Sequence, residues 1–234
     1  MQGITDGKHA FLDPPILAAY GLRMQASDRA IGILGGTFNP VHHGHLLLAR
    51  DALESLGLDR VLLVPNARSP LRVGEDLAPA SLRLEMVRAA LEGELGLEAH
   101  PLEVERGGRS YTVETLEALA LERPGVAWTF LIGADSLDTL ERWHRIGDIL
   151  RMASLVVVPR PGYPLAAALQ ALYGRSKACE GRISVLPGKR EVDIRATEVR
   201  QRIATGRSIR YLVPPAVEAL IHRHGLYRSS PQRA

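Results

Sequence analysis

One short stretch, Ile31–His45, restricts the possible folds of this chain more than any other. It begins with the apolar run Ile31–Leu34, continues through the pair Gly35-Gly36 and a polar turn, and ends in three histidines. From Leu46 onward, leucine and alanine recur at helical spacing. This order predicts a strand, a tight loop and a helix start. Glycines allow a ligand to approach the backbone closely, and the first N–H groups of a helix attract anions, so the predicted ligand is a phosphate chain.

Short apolar strands and amphipathic helices alternate along the rest of the chain. The predicted strands are Ile31–Leu34, Arg60–Pro65, Leu97–Val104, Val126–Ile132, Ser154–Val158 and Arg182–Leu186, and the predicted helices are Leu46–Leu56, Ser81–Leu91, Val113–Leu121, Thr197–Thr205 and Pro215–His222. This alternation predicts right-handed βαβ units and an α/β fold with a doubly wound parallel sheet. Ligands of such folds bind beyond the carboxyl ends of the strands, where the polar, glycine-containing turns of this chain are placed.

The composition is consistent with a single domain and a small anionic ligand. We expect an N-terminal extension at residues 1–28, partly disordered, then one domain at 29–228 and a tail at 229–234. The net charge of +3 suits an anionic ligand but does not by itself indicate nucleic-acid binding. Cys179 is the only cysteine, no apolar run is long enough to span a membrane, and no signal peptide is evident. We therefore expect a cytoplasmic protein without a nucleic-acid or membrane partner.

Two of the histidines are candidates for contact with phosphate. His42 and His45 are three residues apart at the predicted helix start, so both can face the same side. There they could hydrogen-bond phosphate oxygens and, when protonated, offset charge that develops in a transition state. A zinc site is one alternative, although no nearby Cys, Asp or Glu completes a ligand set. A second alternative is that the histidines merely cap the helix. His43, between them, is expected to point outward.

The glycine loop matches neither of the two common phosphate-binding motifs. Gly32-Ile-Leu-Gly-Gly36 does not fit the dinucleotide pattern G-x-G-x-x-G, and the pattern G-x-x-x-x-G-K-[ST] does not occur in the chain. Simple dehydrogenases and P-loop NTPases are therefore disfavoured.

Gly35–His45, with the sequence Gly-Gly-Thr-Phe-Asn-Pro-Val-His-His-Gly-His, resembles the T/HxGH motif of the nucleotidylyltransferase superfamily. Its longer form resembles the motif of bacterial nicotinate-mononucleotide adenylyltransferases in particular. The resemblance extends from Ile31 to Tyr227. It also rests on Pro65-Asn66, Ser110–Thr112, Ile132–Leu137 with Trp143, Arg160–Tyr163 and Gly225–Tyr227.

The resemblance implies transfer of the adenylyl group of ATP to nicotinate mononucleotide, assisted by Mg²⁺ and without a covalent enzyme intermediate. Catalysis would then consist of positioning and charge stabilisation. The implied catalytic residues are His42, His45 and Arg200. The implied ATP-binding residues are Gly35, Gly36, Thr37, Gly133, Asp135, Arg160 and Thr197, and the implied mononucleotide-binding residues are Asn39, Arg72, Tyr111, Thr112 and Trp143. The resemblance implies no metal site built by the protein itself.

The implied nicotinate site has a chemical basis for specificity. Tyr111 and Thr112 match the turn whose backbone amides bind the nicotinate carboxylate in the family. Two N–H donors would select the acid over the amide, because the NH₂ group of an amide would face donors. Trp143 matches the family's stacking partner for the pyridine ring, whereas Trp128, inside a predicted strand, is expected to belong to the core.

Asp135 has two possible roles. At the end of a strand its carboxylate could accept hydrogen bonds from ribose hydroxyls, as the resemblance implies. It could instead cap a predicted helix at Ser136–Leu140.

The second motif of the family, Ser-x-Thr-x-x-Arg, is altered in this chain. Thr197 and Arg200 are retained, but Arg195 takes the place of the serine. Thr197 can still supply a hydroxyl, and Arg200 can supply a forked cation for phosphate oxygens. Arg195 either adds a phosphate contact or faces solvent.

The loop after Pro65-Asn66 departs from the family as well. The family commonly has Pro-His-Lys there, and this chain has Pro-Leu-Arg, with Leu71 in place of the histidine and Arg72 in place of the lysine. Arg72 is the candidate to hold the mononucleotide phosphate, and Arg68 is the reserve.

Other functions remain open from the sequence. An enzyme of the same superfamily could use nicotinamide mononucleotide or phosphopantetheine as its acceptor. A regulatory nucleotide-binding module without catalysis is suggested only by the substitutions at Arg195 and Leu71.

Overall fold

A six-stranded parallel sheet forms the centre of the protein. The computed structural model describes residues 29–68, 77–188 and 192–228. The strands are β1 (Ala30–Gly36), β2 (Arg60–Pro65), β3 (Leu97–Ala99), β4 (Ala127–Gly133), β5 (Ala153–Val158) and β6 (Ile183–Val185). Their order is β3-β2-β1-β4-β5-β6, and every neighbouring pair is parallel. The predicted extension at 1–28, the predicted tail at 229–234, Leu71 and Arg72 lie outside the described residues.

Helices cover both faces of the sheet. They are α1 (His43–Ser55), α2 (Ala80–Ala90), α3 (Leu102–Arg106), α4 (Thr112–Glu122), α5 (Ile146–Met152), α6 (Leu165–Arg175), α7 (Ala196–Ala204) and α8 (Pro215–Arg223). Helices α4, α5 and α6 pack on one face, and α1, α2, α7 and α8 pack on the other. None of these helices has both the length and the apolar composition required to span a lipid bilayer.

The central strands are apolar at successive positions because they are buried on both faces. In β2, Val61 and Leu63 belong to the core under α1 and α2, while Leu62 and Val64 belong to the core under α4. All four side chains are completely buried. Alternation of side chains along a strand distributes a continuous apolar run between two cores. Trp128, in β4, is buried as predicted.

The strand order reverses between β1 and β4, which lie side by side although they are far apart in the sequence. The chain leaves β1 toward one edge of the sheet and returns to place β4 on the other side of β1. Connections therefore diverge at the carboxyl ends of these two strands and leave a crevice there. The α/β fold class and the doubly wound parallel sheet are confirmed.

One predicted strand was wrong in its second half. Leu97–Val104 was expected to be extended, but β3 ends at Ala99 and α3 begins at Leu102. Pro101 precedes the helix with helical backbone angles. Glu103 turns inward and accepts a hydrogen bond of 2.5 Å from Thr115 Oγ1 on α4. The alternation of apolar and acidic residues resembled a strand, and this tertiary contact is not visible in the sequence.

Four other helical segments differ from the prediction. α1 begins at His43, one turn before the predicted start at Leu46. The predicted helix Ser136–Leu140 is instead a 3₁₀ turn at Ala134–Asp138. α5 has only seven residues, and α6 packs one apolar face against the core, formed by Leu165, Ala168, Leu169, Leu172 and Tyr173; neither helix was predicted.

We predict that Thr115→Val lowers the free energy of unfolding by about 1–3 kcal/mol, because it leaves the buried Glu103 carboxylate without its short hydrogen bond. Urea unfolding monitored by circular dichroism measures the change. Thr129→Val in β4 is the matched control, because the Thr129 side chain makes no hydrogen bond to the described residues. Equal stability of the two variants would contradict the prediction.

Candidate active site

A cleft of about 1540 Å³ opens at the carboxyl ends of β1 and β4. All predicted site residues that the structure describes line this cleft; they are Gly35, Gly36, Thr37, Asn39, His42, His45, Tyr111, Thr112, Gly133, Asp135, Trp143, Arg160, Thr197 and Arg200. The remaining candidate, Arg72, lies outside the described residues. The cleft is larger than most sites for one small ligand, and its volume suits two substrates.

The predicted phosphate loop is held against the neighbouring strand β2. Gly35 and Gly36 are the last residues of β1, and the Gly36 carbonyl accepts a hydrogen bond of 2.9 Å from the Asn66 N–H. Asn66 Nδ2 also donates to Thr37 Oγ1 at 3.2 Å. The loop is therefore fixed at its backbone and at its threonine side chain, while its open side faces the cleft.

His42 and His45 lie against each other at the start of α1. Their rings stack with centroids 3.6 Å apart, and His45 Nδ1 accepts a hydrogen bond of 3.2 Å from the His42 N–H. Because Nδ1 of His45 is an acceptor, the neutral ring has its proton on Nε2, which can donate to a ligand. A Cβ at Gly44 would lie 3.0 Å from His42 Nδ1 and 3.4 Å from the Ile194 carbonyl oxygen, so glycine allows this close packing.

Both histidines are held in their neutral form. Burial and, secondarily, the positive charge of Arg160 lower the pKa of His42 to about 4. Burial, His42 and Arg160 hold the pKa of His45 well below its usual range. His42 is only 6% exposed, so a proton on its ring would lack water as well as a counter-charge. In the free protein at neutral pH the two rings therefore act as uncharged hydrogen-bonding groups.

The structure also addresses the alternatives for these histidines. Among the described residues, no group of three or more His, Cys, Asp or Glu side chains could hold a metal ion. The capping alternative is correct in part, because His42 occupies the cap position of α1 and His45 satisfies its N–H. His43 is half-buried rather than exposed, and it does not line the cleft.

The end of β4 presents a carboxylate and a cation to the cleft. Arg160 Nη1 lies 3.2 Å from Asp135 Oδ2 in an ion pair that is more than half exposed. A Cβ at Gly133 would come within 2.5 Å of Asp135 Oδ1, so glycine allows the carboxylate to keep this position against the strand end. Asp135 makes no capping hydrogen bond, so the alternative helix-cap role is not supported.

α7 brings the second motif to the opposite side of the cleft. Arg200 Nη1 donates to the Asn39 carbonyl oxygen at 2.9 Å, and Thr197 is exposed in the first turn of the helix. Arg195 Nε lies 2.8 Å from Asp193 Oδ1, and both side chains are well exposed. Arg195 is thus paired with a neighbouring carboxylate at the surface of the cleft.

The predicted nicotinate site lies at the start of α4. Among the described residues, no acceptor takes the N–H of Tyr111 or Thr112, so these amides are free at the positive end of the helix. Trp143 is half-buried and packs edge-on against Phe130, with ring centroids 6.2 Å apart. Its Nε1 is buried without a hydrogen-bond partner. Arg68, the reserve for the phosphate, is exposed.

Two residues with strong contacts at this site were given no role there in the sequence analysis. Arg83, on α2, is completely buried and reaches the phosphate loop. Tyr227 Oη, near the chain end, donates to Asn39 Oδ1 at 2.8 Å. Helical periodicity could have identified Arg83, because Arg83, Met86 and Val87 fall on one apolar face of α2.

Comparison with known proteins places this architecture in one family. Residues 33–202 match the cytidylyltransferase-like family. A probable nicotinate-nucleotide adenylyltransferase of Gemmatimonas aurantiaca is 43% identical over 86% of this chain and 94% of its own length. One from Roseiflexus sp. is 45% identical over 86% of this chain and 100% of its own length.

Solved structures share the fold at low identity. The structure of Plasmodium falciparum nicotinic acid mononucleotide adenylyltransferase complexed with NaAD superimposes with a TM-score of 0.68 at 16% identity, covering 85% of this chain and 97% of that one. The sequence match over most of the chain, the strand order and the relatives above lead to one assignment. The chain belongs to the cytidylyltransferase-like family and, within it, to the nicotinate-nucleotide adenylyltransferases.

Proposed function

We propose that this protein transfers the adenylyl group of ATP to nicotinate mononucleotide, giving nicotinate adenine dinucleotide and pyrophosphate, a step of NAD biosynthesis. The two relatives that are named for this activity align with this chain over 94% and 100% of their own length. The observation that carries the proposal is that one cleft joins a phosphate loop with paired histidines to a helix start with two free amides. That combination suits two nucleotides whose phosphates must meet.

The reaction is an in-line displacement at phosphorus. An oxygen of the mononucleotide 5′-phosphate attacks the α-phosphorus of ATP. The bond from that phosphorus to the α,β-bridging oxygen breaks, and pyrophosphate leaves with that oxygen. The chain would supply position and compensating charge rather than a nucleophile. His42 and His45 would donate hydrogen bonds to phosphate oxygens from neutral rings, and Arg200 would add a fixed positive charge. Charge on the bound phosphates would then favour protonation of the histidines.

The ATP half-site is proposed to extend from β1 to β4. Gly35, Gly36 and Thr37 would form the phosphate cradle, with Thr197 opposite. Asp135 at the end of β4 would accept hydrogen bonds from ribose hydroxyls, for which its ion pair with Arg160 would have to open. Because that pair is largely exposed, its separation costs about 1 kcal/mol or less. Arg160 would then be free to contact a phosphate.

The mononucleotide half-site is proposed to lie between α4 and the 3₁₀ turns after β4. The free amides of Tyr111 and Thr112 would bind the nicotinate carboxylate, and Trp143 would stack on the pyridine ring. Asn39 would contact the mononucleotide near the reacting phosphate, and Arg72 is our proposal for the residue that holds that phosphate. We propose that residues 29–228 form one catalytic domain. We also propose that the protein acts in the cytoplasm.

We propose Mg²⁺ as the metal that accompanies ATP. The described residues offer no cluster that could hold a metal ion without help from a ligand. A metal in this cleft would therefore bind mainly to the phosphates of the substrate and keep several of its waters, as Mg²⁺ does. When bound, the metal would neutralise charge on the triphosphate.

We predict that His45→Ala lowers kcat by about 10²–10³, because a hydrogen-bond donor aimed at the developing charge is lost. Pyrophosphate release with Mg-ATP and nicotinate mononucleotide measures the effect. His43→Ala on the same helical turn is the control, and it should retain kcat because His43 does not line the cleft. Equal kcat values for the two variants would rule out the phosphate role of His45.

We predict that nicotinate mononucleotide exceeds nicotinamide mononucleotide in kcat/KM by about 10² or more, because the NH₂ group of the amide would face the N–H donors of Tyr111 and Thr112. Parallel pyrophosphate-release assays with nicotinate mononucleotide, nicotinamide mononucleotide and phosphopantetheine measure the preference. Preference for another acceptor would contradict the assigned specificity. ATP binding without pyrophosphate release from any acceptor would instead favour a regulatory module.

We predict that ATP binding takes up protons at pH 6. Free His42, with a pKa of about 4, is neutral at this pH, and a bound triphosphate raises its pKa. The complex then holds more protons than the free protein, so affinity rises as the pH falls below the pKa of the complex toward 4. Calorimetric titrations in two buffers of different ionisation enthalpy measure the uptake. His42→Asn should take up fewer protons, and equal uptake by both proteins would contradict the assignment.

A further inference from the structure

We propose that Arg83 is a positioning residue that fixes the spacing between the ATP half-site and the nicotinate half-site. Arg83 does not line the cleft, so its effect would be exerted through the segments that it holds. The inference rests on the proposed function, because only a reaction between two bound nucleotides requires these half-sites to be in register.

Three segments around the cleft converge on the Arg83 guanidinium. Nη1 donates to the Thr37 carbonyl oxygen at 2.6 Å and to Asn66 Oδ1 at 3.3 Å. Nη2 donates to the Ala67 carbonyl oxygen at 3.1 Å, and Nε donates to the Ala78 carbonyl oxygen at 3.0 Å. One side chain therefore joins the phosphate loop after β1, the segment after β2 and the segment that precedes α2.

Ala67 extends this connection to the nicotinate half-site. Its carbonyl is held by Arg83, and its N–H donates to Ser110 Oγ at 3.1 Å. The Ser110 N–H in turn donates to the Arg68 carbonyl oxygen at 3.0 Å. Ser110 directly precedes Tyr111, whose amide is proposed to bind the substrate carboxylate. A continuous path of hydrogen bonds thus links the phosphate loop to the turn Ser110–Thr112, the nicotinate turn.

A second set of contacts anchors the far end of this path. The Ser110 hydroxyl also bonds to the side chain of Glu103, which is buried and bonded to Thr115 on α4. The nicotinate turn is thereby attached both to the start of α4 and, through Ala67, to Arg83. Movement of the phosphate loop would be transmitted to the turn.

Burial of the Arg83 charge carries a desolvation penalty, which its hydrogen bonds must offset. The side chain is only 1% exposed, and no carboxylate among the described residues pairs with it. Burial lowers its pKa, because water no longer solvates the guanidinium. Four oxygen acceptors take the place of that water. An apolar side chain could fill the same volume without the desolvation penalty, but it could not hold three separate segments.

The shape of the guanidinium explains why lysine would be a poor substitute. Arginine presents five N–H donors in a rigid planar fork, so its bonds to Thr37, Ala67 and Ala78 have fixed relative directions. A lysine ammonium is a compact point charge and would bond to only some of these oxygens. Arg83→Lys therefore retains the charge while it loosens the segments.

The experiment compares ligands that occupy one half-site with a ligand that spans both. ATP and nicotinate mononucleotide each report on one half-site, whereas nicotinate adenine dinucleotide reports on their register. The variants are Arg83→Lys and Arg83→Ala, and the control is Arg88→Met on the exposed side of α2. Thermal unfolding identifies a temperature at which every variant is folded.

We expect Arg83→Lys to lower kcat by about tenfold or more, since misalignment of reacting groups by about 1 Å can cost a hundredfold. The dissociation constants of ATP and nicotinate mononucleotide should change less than that of the dinucleotide. Arg88→Met should resemble the wild type. Unchanged kcat and dinucleotide affinity in folded Arg83→Lys would overturn the proposal, as would equal losses for all three ligands.

Chemical rescue provides a readout that a purely structural role would not move. Millimolar guanidinium added to Arg83→Ala should restore part of kcat, and the same concentration should not activate Arg88→Met. Failure of guanidinium to restore kcat in a folded Arg83→Ala protein would contradict the role of the fork. A wild-type protein that forms no dinucleotide would contradict the proposed function itself, which separates the two failures.

Discussion

Parallel pairing of β1 with both β2 and β4 is the constraint on which the rest of the structure depends. Because β1 has a parallel neighbour on each side, the chain must cross over the sheet in two directions, and the crossovers diverge where the strands end. Gly36, at the end of β1, and Gly133, at the end of β4, therefore lie at the same opening. The cleft is a consequence of strand order, and the polar turns become a site because this order brings them together.

In the free cleft the two histidines are uncharged, so they do not provide the positive charge for a phosphate. Burial and Arg160 keep His42 and His45 neutral, so positive charge near the site comes from arginines. Arg200 lies against the phosphate loop, Arg160 is held by Asp135, and Arg83 is buried behind the loop. Fixed cations can attract a phosphate chain at any physiological pH. While both imidazoles are neutral, the two stacked rings do not repel each other. They would become positively charged only when a bound phosphate raises their pKa.

Much of the fold could be predicted from the sequence, because local patterns specify strands that are buried on both faces. Arg60–Pro65 has the predicted bounds, since four successive apolar residues can be accommodated only between two cores. The prediction failed where long-range contacts determine the local structure. Leu102–Val104 alternates like a strand, yet it is helical, with Glu103 directed toward Thr115. The α1 start was misplaced by one turn because His45 satisfies the N–H of His42.

The candidate site follows the same division. By itself, the sequence determined the glycine loop, the histidine spacing and the residues at the strand ends, because chemical type and spacing are local properties. Only the tertiary structure decided that His42 and His45 are neutral, that Arg195 is paired with Asp193, and that Arg83 is buried. These properties depend on which groups surround a side chain, and those groups come from distant parts of the chain. The sequence thus determined which chemical groups are present, and folding decided their charge, their partners and their mutual distance.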